Sequence, residues 1–203
     1  MTVANYYLIS FSLSLVICFI TSFIFSKFNV VDKPDGIRKI HEGEISYGGG
    51  LAIFLSILIT CFVLLDHKDL LFEGIFEIGF ISFAILILGF IDDIKPLPIA
   101  IRLISQILIS WLVILLTDIY VKDLGDLFGF GNIYLGELGI PITIFMVVGM
   151  CNAFNMLDGI DGLVVAVAFS VFTAVSIISI IKGISQVMAF IPSIALFSFL
   201  LFN

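Results

Sequence analysis

Asn152, Asn155, Asp158 and Asp161 stand three residues apart in the stretch NAFNMLDGIDGL. Side-chain amides donate and accept hydrogen bonds, and ionised carboxylates accept them and bind hard cations. In a helix of about 3.6 residues per turn, a step of three lags by about 60°, so an unbroken helix would fan the four across roughly half its circumference. Gly159 and Gly162 predict instead that the helix stops near Asp158 and that Asp161 turns back on a loop. A polar capping turn accounts for one Asp-Gly pair. Two such pairs in immediate succession point to a helix end that presents amides and carboxylates to a shared cavity.

Two further clusters could act with it. GFIDDIKPLPIAIR places Asp92 and Asp93 at the C-terminal end of an apolar run. That is the negative end of a helix dipole, where a carboxylate is disfavoured by up to about 1 kcal/mol, and the two carboxylates also repel each other. A cation should offset this, and a divalent metal is the economical candidate; a solvated loop start is the plainer alternative. In VVDKPDGIRKIHEGEISYGGGLAI, Arg38, Lys39 and His41 form a compact basic group ahead of Gly48, Gly49 and Gly50. Guanidinium, ammonium and exposed backbone amides suit phosphate oxygens. His41 alone reads equally as a ligand, a phosphate donor or a loop residue, and Lys27 reads as a membrane anchor.

The frame that must position these groups is apolar. Of 203 residues, 61% are hydrophobic and 12% charged, and the mean hydropathy is +1.27. A soluble domain of this length could not hide so much apolar surface, which makes the bilayer the expected solvent. A span takes about 20 apolar residues to cross about 30 Å of hydrocarbon. The runs 6–28, 47–65, 75–91, 99–117, 141–157, 163–181 and 186–202 meet or approach that length. The expected fold is therefore an all-α, polytopic bundle of about seven transmembrane helices, read as one domain over residues 1–203. The first run lacks a basic leader and a small-residue cleavage site, so it reads as an uncleaved span. Cys18, Cys61 and Cys151 fall inside apolar runs and read as small hydrophobes. Segment 118–140, rich in glycine with alternating aromatics, reads as a small hairpin or an interfacial stretch.

Orientation follows from the basic residues. Lys27, Lys33, Arg38, Lys39, Lys95 and Arg102 fall in segments on one side, against Lys68, Lys122 and Lys182 on the other. This predicts that 29–46, 92–98 and 158–162 face the cytoplasm. Carboxylates able to hold a cation and bases able to hold anions then share one membrane face. Two phosphorylated substrates repel each other, and Mg²⁺ relieves that repulsion by bridging phosphate oxygens. Chemistry between a soluble nucleotide and a lipid phosphate is the expected function. A transporter or cation channel is the competing class, since ionisable groups at membrane depth often mark ion paths; it would thread polar residues across the bilayer.

VDKPDGIRKIH, the glycines after it, GFIDD with Arg102 downstream, and NAFNMLDGIDGL resemble the polyprenyl-phosphate N-acetylhexosamine-1-phosphate transferases. The last motif is most similar to the undecaprenyl-phosphate N-acetylglucosaminyl-1-phosphate transferase branch. The resemblance implies that undecaprenyl phosphate attacks the β-phosphorus of UDP-N-acetylglucosamine and that UMP leaves. It implies Mg²⁺ or Mn²⁺ as the metal. By motif, Asp92 and Asp93 belong to the metal and lipid-phosphate region and are expected as metal ligands. Asp92, Asp93, Asp158 and Asp161 are the expected catalytic residues. Arg38, Lys39, His41, Arg102, Asn152 and Asn155 are expected to hold nucleotide or phosphate. Asp92 is either a general base or a positioner, because a phosphate monoester with a second pKa of about 6 need not lose a proton to attack.

The implied setting is the bacterial inner membrane, with the active face cytoplasmic, at the start of lipopolysaccharide, common-antigen or teichoic-acid synthesis. A homodimer is compatible with this reading, and no nucleic acid is expected. Ser46 stands where many relatives carry proline. The relatives continue into a further aspartate-bearing segment and a histidine-rich loop, so the 203 residues are expected to be the N-terminal part of a longer enzyme. A different UDP-N-acetylhexosamine, or an inactive remnant, are the alternatives within the family.

Overall fold

The computed structural model describes residues 3–28, 31–32, 45–46, 48–63, 75–157, 162–183 and 187–202. Helices α1 (Val3–Lys27), α2 (Gly49–Val63), α3 (Ile75–Ile94), α4 (Ile99–Thr117), α5 (Gly139–Leu157), α6 (Leu163–Ile181) and α7 (Val187–Phe202) each fall on one of the seven apolar runs. Tyr7–Lys27, Ile99–Thr117, Gly136–Leu157 and Leu163–Ile181 are long and apolar enough to cross a bilayer unaided, and Gly49–Val63 and Ala189–Leu201 are shorter apolar helices. Large apolar side chains such as Phe19 and Phe23 on α1 or Leu108 and Leu115 on α4 are exposed. Water would penalise these surfaces, whereas lipid tails solvate them. The protein is a multi-pass helical membrane protein, as the composition predicts.

The chain divides into two compact units, Met1–Glu73 with Leu157–Asn203, and Gly74–Met156. In the first, α1 packs on α2 and α7, α2 also meets α7, and α6 packs on α7. The contact faces are built from small residues. Ser10, Ser14, Cys18 and Thr21 form a buried stripe on α1, facing partners that bury Ala52, Ser56 and Thr60 on α2 and Ala189, Ser193 and Ser198 on α7. With no hydrophobic drive between helices in lipid, close backbone approach supplies the packing energy, and small side chains permit it. Their hydroxyls return to the helix: Thr21 donates to the Ile17 carbonyl at 2.7 Å and Ser198 to the Ile194 carbonyl at 2.9 Å. Thr173 and Ser193 share a hydrogen bond of 2.7 Å between α6 and α7. A short antiparallel ladder pairs β1 (Val31–Asp32) with β2 (Ile45–Ser46), in register Val31 with Ser46 and Asp32 with Ile45. It brackets the segment that carries the basic group.

In the second unit α3 packs along α4. Pro96 and Pro98 lie in the short link between them, and a proline favours the extended conformation that stops a helix before it. The α4 helix ends at Asp118, whose backbone is left-handed (φ 52°, ψ 22°) and whose N–H donates to the Ile114 carbonyl at 2.8 Å. The hairpin alternative for 118–140 is the one observed. Leu124 N–H donates to the Ile133 carbonyl at 3.0 Å, and Leu135 N–H to the Lys122 carbonyl at 3.0 Å. The acids here are turn-formers: Asp123 accepts from Gly125 N–H at 2.7 Å and Asp126 from Gly131 N–H at 3.1 Å. The Asp118 carboxylate, 2.8 Å from Lys122 Nζ, holds that ammonium above the usual lysine range. Val121 N–H donates to Thr143 Oγ1 at 2.9 Å, fastening the hairpin base to α5.

Candidate functional site

Helix α3 runs to Ile94, so Asp92 and Asp93 lie in its last turn. Asp92 is firmly held. Its Oδ1 accepts from Leu97 N–H at 2.7 Å, which closes the turn into α4, and its Oδ2 accepts from Arg102 Nη1 at 3.3 Å. Both side chains are mostly buried, Asp92 at 15% exposure and Arg102 at 24%. The cation that offsets the unfavourable helix end in this structure is therefore an arginine, one turn into α4, where Arg102 N–H also bonds the Pro98 carbonyl at 3.1 Å. Among the described residues Arg102 Nε is buried without a hydrogen-bond partner. Asp93 is exposed beside this pair.

One helical turn beyond Arg102 on α4 comes Gln106, on the same face by the i, i+4 rule. Its Oε1 accepts from Asn152 Nδ2 at 2.9 Å, linking α4 to α5 across 46 residues of sequence. Asn152 Nδ2 also donates to the Val148 carbonyl at 2.8 Å, one turn back on α5. Asn155 is exposed in the last turn of α5. Within this unit, then, Asp92, Asp93, Arg102, Gln106, Asn152 and Asn155 lie toward the end where α3 finishes, α4 begins and α5 finishes. Sequence reasoning passed over Gln106. Its signal was a lone amide in an apolar span, spaced four from Arg102, which in hydrocarbon must find a partner.

The expected break between the two helices is present, though Asp158 itself lies outside the described residues. Helix α5 ends at Leu157, and Gly162, with φ of 70°, starts α6. Asp158 and Asp161 themselves lie outside the described residues, as do Arg38, Lys39 and His41.

Among the described residues no group of three or more His, Cys, Asp or Glu side chains is placed to hold a metal. The donor set nonetheless suits Mg²⁺, which is commonly bound through one or two carboxylates plus water and substrate phosphates. Asp93 and the remaining lone pairs of Asp92 are hard oxygen donors of that kind.

Residues 75–203, from the start of α3 onward, match the glycosyl transferase family 4. The chain belongs to glycosyl transferase family 4. The chain is 32% identical over 154 residues to the undecaprenyl-phosphate alpha-N-acetylglucosaminyl 1-phosphate transferase of Yersinia pestis, covering 75% of this chain and 40% of that protein. The enzyme of the same name from Escherichia coli K12 is 32% identical over 168 residues, 78% of this chain and 44% of its own length. A probable undecaprenyl-phosphate N-acetylglucosaminyl 1-phosphate transferase of Bacillus subtilis is 28% identical over 162 residues, 80% of this chain and 44% of its own. The family 4 chain thus spans less than half the length of the curated relatives it matches. The matched region contains the Asp92–Arg102 and Gln106–Asn152 pairs.

Proposed function

We propose that this protein is, or is part of, a transferase that moves N-acetylglucosamine 1-phosphate from UDP-N-acetylglucosamine to undecaprenyl phosphate in the bacterial inner membrane, with its active face cytoplasmic. The observation that carries the reading is the fixed carboxylate: Asp92, held by Arg102 and the Leu97 N–H beside Asp93, in a chain of glycosyl transferase family 4. A phosphate oxygen of the lipid forms a bond to the β-phosphorus of the nucleotide sugar. The bond from that phosphorus to the bridging oxygen breaks, and UMP leaves with that oxygen. Mg²⁺ or Mn²⁺ at Asp92 and Asp93 would neutralise phosphate charge and bring two anions together.

The chain's own groups serve positioning. Arg102 fixes Asp92 so that the carboxylate does not reorganise when the substrates arrive. Asp92 therefore reads as a positioner of the nucleophile, which is already largely dianionic at neutral pH. Asp158 and Asp161 are proposed as catalytic residues, and Arg38, Lys39 and His41 as groups that hold nucleotide or phosphate. The product would open synthesis of a cell-surface polysaccharide of lipopolysaccharide, common-antigen or teichoic-acid type.

The test uses membranes holding the full-length protein, undecaprenyl phosphate, Mg²⁺ and UDP-N-acetylglucosamine labelled in the sugar. Label should enter the lipid extract with UMP released in equal amount, and EDTA should stop both. A folded protein that gives no labelled lipid and no UMP with this or other UDP-N-acetylhexosamines refutes the reading.

A further inference from the structure

An asparagine amide can offer a ligand either its N–H donors or its carbonyl oxygen, and the two choices select opposite chemistries. The Val148 carbonyl decides which applies at Asn152. A carbonyl oxygen only accepts, so the atom 2.8 Å from it must be the amino group. That fixes the amide's orientation, and the second N–H then points to Gln106 Oε1 at 2.9 Å. Both donors of Asn152 are spent inside the protein. What remains is an acceptor.

We propose that Gln106 is a positioning residue that locks Asn152 with its oxygen available to substrate, so that Asn152 takes a hydrogen-bond donor of the nucleotide sugar and not a phosphate oxygen. A phosphate oxygen would face the Asn152 oxygen lone pair to lone pair. The donors available on a UDP-N-acetylhexosamine are sugar and ribose hydroxyls, the uracil N–H and the acetamido N–H. The contact between the two amides is the single bond from Asn152 Nδ2 to Gln106 Oε1. The same helix holds both motifs. Arg102 fixes Asp92 and Gln106 fixes Asn152 from adjacent turns of α4, so this helix sets the carboxylate and amide positions together.

The inference rests on the proposed transferase reading, and the experiment separates the two. Full-length wild type, Gln106→Met and Gln106→Glu are assayed with both substrates varied. Met keeps the length and apolar fit but removes the oxygen; Glu keeps an oxygen acceptor in place. The expected result is a KM for the nucleotide sugar raised about five- to tenfold in Gln106→Met, the worth of one hydrogen bond, with the KM for undecaprenyl phosphate and the melting temperature near wild type. Gln106→Glu should restore most of the loss.

Three results overturn the inference while the wild type remains active. They are an unchanged nucleotide-sugar KM in Gln106→Met, equal impairment of the Met and Glu variants, or a Met variant that does not fold while Glu does, which makes the residue structural. A wild type with no transferase activity overturns the proposed function, and this inference with it.

Discussion

At the scale of single residues the decisive feature is that two of the motif side chains, Asp92 and Asn152, are each held by a side chain on α4. Asp92 pairs with Arg102, and Asn152 with Gln106. A hydrogen bond to a charged group contributes about 1.5–3 kcal/mol, and losing one partner leaves a mostly buried charge exposed to its helix end. Arg102→Ala should therefore lower transfer by tenfold or more, with Arg102→Lys intermediate, since an ammonium keeps the charge without the planar fork. Transfer assays on folded variants check this; wild-type rates in Arg102→Ala would remove Asp92 fixation from the account. Asp93→Asn should abolish transfer while leaving membrane insertion intact, as transfer and insertion assays on the same membranes would show. Gln106→Met is expected to be mild for stability, because interhelical hydrogen bonds in membrane proteins average about 0.6 kcal/mol. That is why its kinetic effect can be read cleanly.

At the scale of elements, packing is governed by where a backbone must come close. A Cβ on Gly139 would run into the Val121 carbonyl oxygen and the Tyr120 ring, and main chain cannot yield as a side chain can. Gly139→Ala should cost about 1–3 kcal/mol and loosen the hairpin base from α5, seen as a lower melting temperature in detergent. Gly49 is different. Its added Cβ would lie 2.9 Å from Cζ of Phe199, the far end of a side chain, so Gly49→Ala should be the milder change of the two. The reverse order would mean that the α2–α7 contact is the stiffer one. On α1, Ser14 is 1% exposed against α2 and α7, and Ser14→Leu should wedge these helices apart and reduce the yield of folded protein. The helices themselves were legible from hydropathy: each of the seven apolar runs carries a helix among the described residues, with ends within a few residues. The hairpin was legible only as one of two options, because its pairing depends on which carbonyls meet across the turn.

At the scale of the whole molecule, the chain is a multi-pass helical protein of glycosyl transferase family 4, and the placement of its basic residues predicts an orientation that can be tested. Single cysteines at Lys95 and Lys122 should label from opposite sides: Lys95→Cys only after the membrane is opened, Lys122→Cys in intact cells. Both labelling from one side would separate the α3 end from the proposed cytoplasmic face. Composition determined the solvent, and the order of residues determined the apolar runs and the candidate motifs, because the need to satisfy every backbone group in hydrocarbon leaves a run of apolar residues little choice but helix. Tertiary structure alone decided the partners. From the sequence, Asp92 called for a cation and a metal was the candidate; the fold brings Arg102 to it. Asn152 was expected to hold nucleotide or phosphate; the fold spends its donors on Val148 and Gln106 and leaves an acceptor. Hydropathy is a property of each residue and its near neighbours, so it survives in a one-dimensional string. A hydrogen bond between helices depends on how two helices rotate against each other, and no local pattern carries that angle.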